Sequence, residues 1–157
     1  MTRPSKRASK REKSMIKLDD AYDEGNIFAK ILRGEMPNIT LYEDEKTLAF
    51  MDIMPQATGH CLVIPKEPAV TFLDLSDDSA AAVMATAKKV AAAVVKAMDA
   101  PGFMMAQLNS SAAGQTVPHY HMHILPRHDG LELKFHARDP EDMAVLNETA
   151  EKIRAHL

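Results

Sequence analysis

Residues 115–127 read QTVPHYHMHILPR, with three histidines, His119, His121 and His123, at alternate positions in an otherwise apolar run. Successive side chains of a strand alternate faces, so the three imidazoles share one side while Tyr120, Met122 and Ile124 turn to the other, toward a core. Neighbouring imidazoles then stand roughly 6.5 to 7 Å apart at Cα. This spacing suits a nucleophile with a helper on each side. Three evenly spaced residues of an extended strand cannot all converge on one ion at ~2.1 Å, and a metal site would need a further His or carboxylate from elsewhere. A metal-dependent use of the same histidines stays open beside the nucleophilic one.

Upstream, HCLVIP (60–65) is apolar enough in Leu62, Val63 and Ile64 to be a central strand ended by Pro65. Before it, ITLYEDEKTLAFMDI (39–53) gives two strand-like runs around a polar turn at 43–46. NIFAKILRG (26–34) predicts a short helix with Asn26 as cap, Ile27, Phe28, Ile31 and Leu32 as apolar face, and Gly34 as left-handed stop. LSDDSAAAVMATAKKVAAAVVKAMDA (75–100) predicts a long helix capped by Ser76, with Val83, Ala87, Val90, Val94 and Met98 as the stripe that packs on a sheet. GFMMAQLN (102–109) reads as a strand and SSAAGQ (110–115) as a turn. The end of the chain from Pro140 to Leu157 reads as a helix with Met143, Leu146, Ala150 and Ile153 as its stripe. Strands grouped around two or three helices give an α+β layer of sheet and helices.

The length of 157 residues fits one domain, and the 46% hydrophobic and 26% charged fractions are those of a globular chain with no bilayer-length apolar run. No membrane partner is expected. Cys61 is the single cysteine, which rules out an internal disulfide and fits a cytoplasmic protein. The net charge is −3, but the first 17 residues carry seven Lys/Arg against Glu12 alone, leaving −9 for the rest. Residues 1–20 are therefore expected to be a basic, disordered extension and 21–157 a single domain. Such a start also fits a nucleic-acid arm or an organelle transit peptide, although nucleic acid is not the expected partner, and Met15 is a second candidate start.

The stretch AGQTVPHYHMHILPR (113–127) resembles the signature of the histidine triad (HIT) family, His-φ-His-φ-His-φ-φ with φ apolar, preceded by Gly-Gln-Ser/Thr. The resemblance continues upstream through NIFAKILRGEMP, YEDEKTLAFMDIMPQATGH and LVIPK, so it covers a core of 26–127 in unbroken order. Pro118 lacks an N–H and implies an edge or unbonded position just ahead of the triad. Some relatives carry a cysteine pair that helps hold zinc where this chain has Asn26 and Ala29, so neither a structural metal nor a cofactor is expected.

The resemblance implies a five-stranded antiparallel meander with packed helices, its sheet extended across a two-fold homodimer for which the 76–99 helix is a candidate contact. It implies a hydrolase or transferase that attacks the α-phosphate of a purine nucleotide, a phosphoramidate or a dinucleoside polyphosphate, through a covalent nucleotidyl-histidine. His121 resembles the nucleophile, with its second ring nitrogen donating to a backbone carbonyl. His123 resembles the residue near the leaving group, and His119 the one that supports the histidine network with His60. Gln115, Thr116 and Asn109 resemble contacts to phosphate and leaving-group oxygens. Asp52 resembles the acceptor of both ribose hydroxyls, and Ile27, Phe28, Ile31, Phe50 and Ile53 the clamp around the base. Lys66 and Arg127 follow prolines at strand ends, where solvent-facing charge is ordinary, and are given no role. HDGLELKFHARDPED (128–142) is not a strong match to either the phosphoramidase or the polyphosphate-hydrolase branch. A metal-dependent hydrolase and a non-catalytic nucleotide-binding module remain as alternatives.

Overall fold

The computed structural model describes residues 15–132 and 139–157; the expectations for residues 1–14 and for 133–138 lie outside the described residues. Five strands, β1 (Thr40–Glu43), β2 (Thr47–Met51), β3 (Cys61–Pro65), β4 (Gly102–Ala106) and β5 (Met122–Arg127), make one antiparallel sheet in the order β1-β2-β3-β5-β4. Among the described residues three α-helices accompany it: α1 (Ile27–Leu32), α2 (Asp77–Ala97) and α3 (Met143–Arg154). The last two strands are laid down so that β5 enters between β3 and β4. Leu62 of β3 thereby faces His123 of β5 across the ladder.

The alternation along β2, β3 and β5 sorts side chains into two layers. Ala49, Met51, Cys61, Val63 and Ile124 join the main core with the stripe Val83, Ala87, Val90 and Val94 of α2, and with Leu146, Ala150 and Ile153 of α3. Each fully buried valine there contributes roughly 1.5–3 kcal/mol of burial. Met143, expected in the α3 stripe, is instead exposed, because Asp142 caps the helix and leaves Met143 in its solvent-facing first turn. Leu48, Phe50, Leu62 and Ile64 point to the opposite side, where Phe28 of α1 covers them. The face of the sheet under α1 carries the histidines.

The helix ends follow the capping signals. Asn26 accepts from the Ala29 amide and Gly34 takes φ +76° just past α1. Ser76 caps α2 through the Ser79 amide and donates to Glu67 at 2.5 Å, tying the helix start to the loop after β3. No helix among the described residues is long and apolar enough to cross a membrane.

Two further expectations are corrected. The ordered body begins before residue 21, because Ile16 is buried and pairs with Ser111, its amide donating to Ser111 Oγ and its carbonyl accepting from the Ser111 amide. The strand carrying the triad is shorter than the alternation suggested: β5 starts at Met122, so His119 and His121 precede it. Pro118 has no N–H to give, the Tyr120 amide donates to the Ala69 carbonyl, and the His119 carbonyl accepts from a side chain. The alternation of faces persists nonetheless, with Tyr120 and Ile124 in the main core.

Candidate active site

Each histidine of the cluster makes a bond that fixes which ring nitrogen bears the proton, since a carbonyl only accepts and an amide N–H only donates. Nδ1 of His121 lies 2.7 Å from the His119 carbonyl, so Nδ1 is protonated and Nε2 keeps a free lone pair. Nδ1 of His60 accepts from the Gln56 amide at 3.1 Å. His60 Nε2–H is therefore the donor, reaching Nδ1 of His123 at 2.9 Å and approaching Asp52 Oδ2 at 3.4 Å. With its Nδ1 accepting, His123 bears its proton on Nε2. His119 is pinned at both nitrogens, by the Pro65 carbonyl at 2.8 Å and the Tyr22 hydroxyl at 2.6 Å.

The rings are close. His121 and His123 have centroids 4.9 Å apart, and the Phe28 ring stands edge-on to His121 at 5.0 Å. Burial is the first cause of the lowered pKa of every member: His60 and His119 are pushed down to about 4 and His123 to about 3, and the neighbouring His121 lowers each of them further. His121 is lowered by burial as well, against the opposing pull of the His119 carbonyl. All four are neutral at pH 7. Burial acts on Asp52 in the other direction and raises it to about 6, opposed by the Met54 amide donating to its Oδ1. Asp52 is thus ionised at pH 7 beside a neutral His60, and their contact is a hydrogen-bond interaction, not an ion pair.

The apolar residues expected at the base divide into two groups. Phe28 and Phe50 are buried and pack edge to face at 5.4 Å, with Ile31 against them, so they form a floor. Ile27 and Ile53 are 38% and 47% exposed, which leaves them free to close on a flat apolar group. Asp52 lies just past β2, beside the exposed Ile53.

Two of the expected phosphate contacts are occupied otherwise. Gln115 is buried, its Nε2 donating to the Val70 and Val117 carbonyls and its Oε1 accepting from the Ser110 amide. It staples the loop and holds Ser110 at φ 73° and ψ 161°, a conformation that costs a non-glycine residue about 1–3 kcal/mol. Asn109 pairs with Gln107 through both amide atoms, and its Oδ1 also accepts from the Phe72 amide. Thr116 is exposed at the loop surface. His119 and His60 are held by separate bonds: the ring bonds of His119 go to Pro65 and Tyr22, and His60 reaches His123. Gln56 and Tyr22 were missed, the first because a backbone amide carries no sequence signal, the second because a tyrosine ahead of a helix cap belongs to no periodic pattern. Lys66 pairs with Glu43 at 2.9 Å, and Arg127 donates to the Leu131 carbonyl.

Among the described residues one group could hold a metal ion, Asp52, His60 and His123, whose ligand atoms lie within 4.8 Å of one another. The donor types suit a borderline ion such as zinc. Binding would have to displace the proton that His60 shares with His123.

The chain matches the family model described as HIT domain over residues 33–130. It is 38% identical to "Protein hit" of Bacillus subtilis over 136 residues, 82% of this chain and 94% of that protein. It is likewise 38% identical to an adenosine 5′-monophosphoramidase of Schizosaccharomyces pombe over 127 residues, 78% of this chain and 92% of that one. The crystal structure of a Hit-like protein from Bartonella henselae, described as involved in cell-cycle regulation, superposes with a TM-score of 0.82 at 47% identity, covering 87% of this chain and all of that one. The antiparallel sheet, the interlocked histidines and these matches together establish that the chain belongs to the histidine triad family.

Proposed function

We propose that the protein hydrolyses a nucleoside 5′-phosphoramidate by double displacement at His121, with AMP as the nucleotide carried. One observation carries the reading: Nδ1 of His121 is committed to the His119 carbonyl, which leaves an unprotonated Nε2 beside His123. A neutral buried imidazole with a free lone pair is nucleophilic at pH 7 without further activation. The name of the fission-yeast relative supports the amine leaving group.

In the first step Nε2 of His121 bonds to the α-phosphorus and the bond from phosphorus to the leaving amine breaks. The departing nitrogen takes its proton from solvent as the bond breaks, and His123, which is neutral, steadies it with a hydrogen bond donated from Nε2–H. The His121 ring becomes cationic, and the His119 carbonyl, accepting from Nδ1–H, stabilises that charge. In the second step water adds to phosphorus and gives up a proton to solvent, which balances the one taken by the amine, and the bond to His121 breaks to release AMP. Asp52 accepts from the ribose hydroxyls, Ile27 and Ile53 close on the base over the Phe28 and Phe50 floor, and Thr116 meets the phosphate. Gln115 acts by holding the loop, and Asn109 reaches phosphate only by giving up its pair with Gln107. The same reading joins two chains about a two-fold axis, for which β4, an edge strand with exposed Phe103, offers the pairing edge; sedimentation in solution tests it.

The experiment is hydrolysis of an adenosine 5′-phosphoramidate with a fluorogenic amine, by wild type and His121→Ala, with and without EDTA. Turnover that survives EDTA and disappears in the variant supports the reading. Turnover lost to EDTA favours an ion at Asp52, His60 and His123. If wild type leaves the amide intact but cleaves a dinucleoside polyphosphate, the leaving group is a nucleotide instead.

A further inference from the structure

Tyr22 lies eleven positions ahead of the segment matched to the HIT family, which begins at residue 33. Its hydroxyl nonetheless lies 2.6 Å from Nδ1 of His119, a residue 97 positions away. We propose that Tyr22 is a positioning residue of the reaction, holding the His119 ring so that the His119 carbonyl stays aligned on Nδ1 of the nucleophile. The proposal rests on the reading of His121 as that nucleophile.

The direction of the bond follows from its neighbours. Nε2 of His119 faces the Pro65 carbonyl at 2.8 Å, which can only accept, so Nε2 carries the proton and Nδ1 is bare. Tyr22 is therefore the donor. The His119 ring is fully buried and held by two opposed bonds, with the Tyr22 ring edge-on at 5.5 Å and that of Phe28 at 6.4 Å. The same residue presents its carbonyl to Nδ1 of His121 at 2.7 Å. Without the hydroxyl, a buried acceptor is left unsatisfied, which costs enough to turn the ring or admit water. Either response moves the backbone that orients the nucleophile.

Tyr22 is itself held from the local chain. Asp23 Oδ1 accepts from the Gly25 amide, the Asp23 carbonyl accepts from the amide and side chain of Asn26, and Arg33 donates to the Glu24 carbonyl. This turn runs directly into the Asn26 cap of α1, the helix whose Phe28 leans on His121. Entry segment, helix and catalytic ring thus form one connected unit.

Tyr22→Phe removes one oxygen and keeps the ring. In the full-length protein kcat for the phosphoramidate is expected to fall roughly tenfold, the scale of one hydrogen bond, with KM nearly unchanged. In ¹H–¹⁵N spectra of the histidine rings, the Nδ1–H resonance of His121 shifts and the Nδ1 signal of His119 moves toward that of an unbonded acceptor. A residue that only filled space would lower the melting temperature and leave both readouts of the folded protein alone. Wild-type kcat together with an unmoved His121 resonance overturns the proposal. If the wild type itself does not cleave the amide, the functional reading fails first. The ring spectra then still decide, an unmoved His121 resonance overturning the positioning role and a shifted one upholding it.

Discussion

Nε2 of His60 lies 2.9 Å from Nδ1 of His123, although 63 positions separate the two residues. The contact exists because β5 lies beside β3, with His123 opposite Leu62 in the ladder and His60 one residue before β3 begins. Its consequence is chemical. The Gln56 amide forces the His60 proton onto Nε2, and His60 in turn forces the His123 proton onto its outer nitrogen. A hydrogen-bond donor facing outward at Nε2 of His123 is thereby set up by a backbone N–H two hydrogen bonds away.

Replacing His60 with alanine removes the donor that holds His123 in this tautomer. We expect kcat to fall by roughly 10²-fold, the scale of losing one oriented donor to developing charge, while adenosine binding persists. Steady-state kinetics and calorimetric titration with adenosine check the split; an unchanged kcat would mean that the contact is packing alone.

Gly59, directly ahead of His60, has φ +94°, and a Cβ there would come to 2.9 Å from Met98 Cγ and 3.2 Å from Pro126 Cγ. Gly59→Ala therefore meets both backbone strain of about 1–3 kcal/mol and a steric contact. A lower melting temperature and a reduced kcat are expected together. Met98→Ala in the same chain relieves the Met98 contact but neither the Pro126 contact nor the φ, so it restores stability only in part.

The buried imidazoles make stability depend on pH. His60, His119 and His123 have folded pKa values of about 4, 4 and 3 against an ordinary 6.5. Between those limits the unfolded chain binds more protons, so their contribution is complete above about pH 6.5 and is lost as pH falls. Asp52, raised from 3.8 to about 6, works the other way and gains as pH falls between those values. Three imidazoles outweigh one carboxyl. The melting temperature should drop steadily from pH 6.5 to 4, and a flat profile would contradict the neutral, buried network.

Asp52 supplies a second pH dependence, in ligand binding. An ionised carboxylate accepts from two hydroxyls better than a protonated one, so adenosine affinity should weaken below about pH 6, the raised value for this group. Adenosine has no phosphate to titrate in that range, which keeps the effect on the protein. Asp52→Asn should bind more weakly at pH 7 and show no such step; a wild-type affinity that is level through pH 6 would remove Asp52 from the ribose site.

Local signals were legible along the chain. Asn26 and Ser76 cap the helices that their positions announce, and the alternation from His119 to Ile124 sorts the histidines from Tyr120 and Ile124. What periodicity cannot convey is which element lies beside which. The placement of β5 next to β3 decides that His60 meets His123 and not His119. Gln115 carries the polar type expected of a phosphate contact, but its burial turns the amide onto backbone groups of its own loop. Tyr22 joins His119 through a fold-level contact alone.

The central claim is that the nucleotide is carried on Nε2 of His121. The most direct measurement is mass spectrometry of enzyme quenched under mildly alkaline denaturing conditions during turnover of the adenosine phosphoramidate, with EDTA present throughout. The account predicts an adenylyl adduct on the peptide containing His121, absent from His121→Ala. Steady turnover without any adduct, or an adduct on another residue, would contradict it.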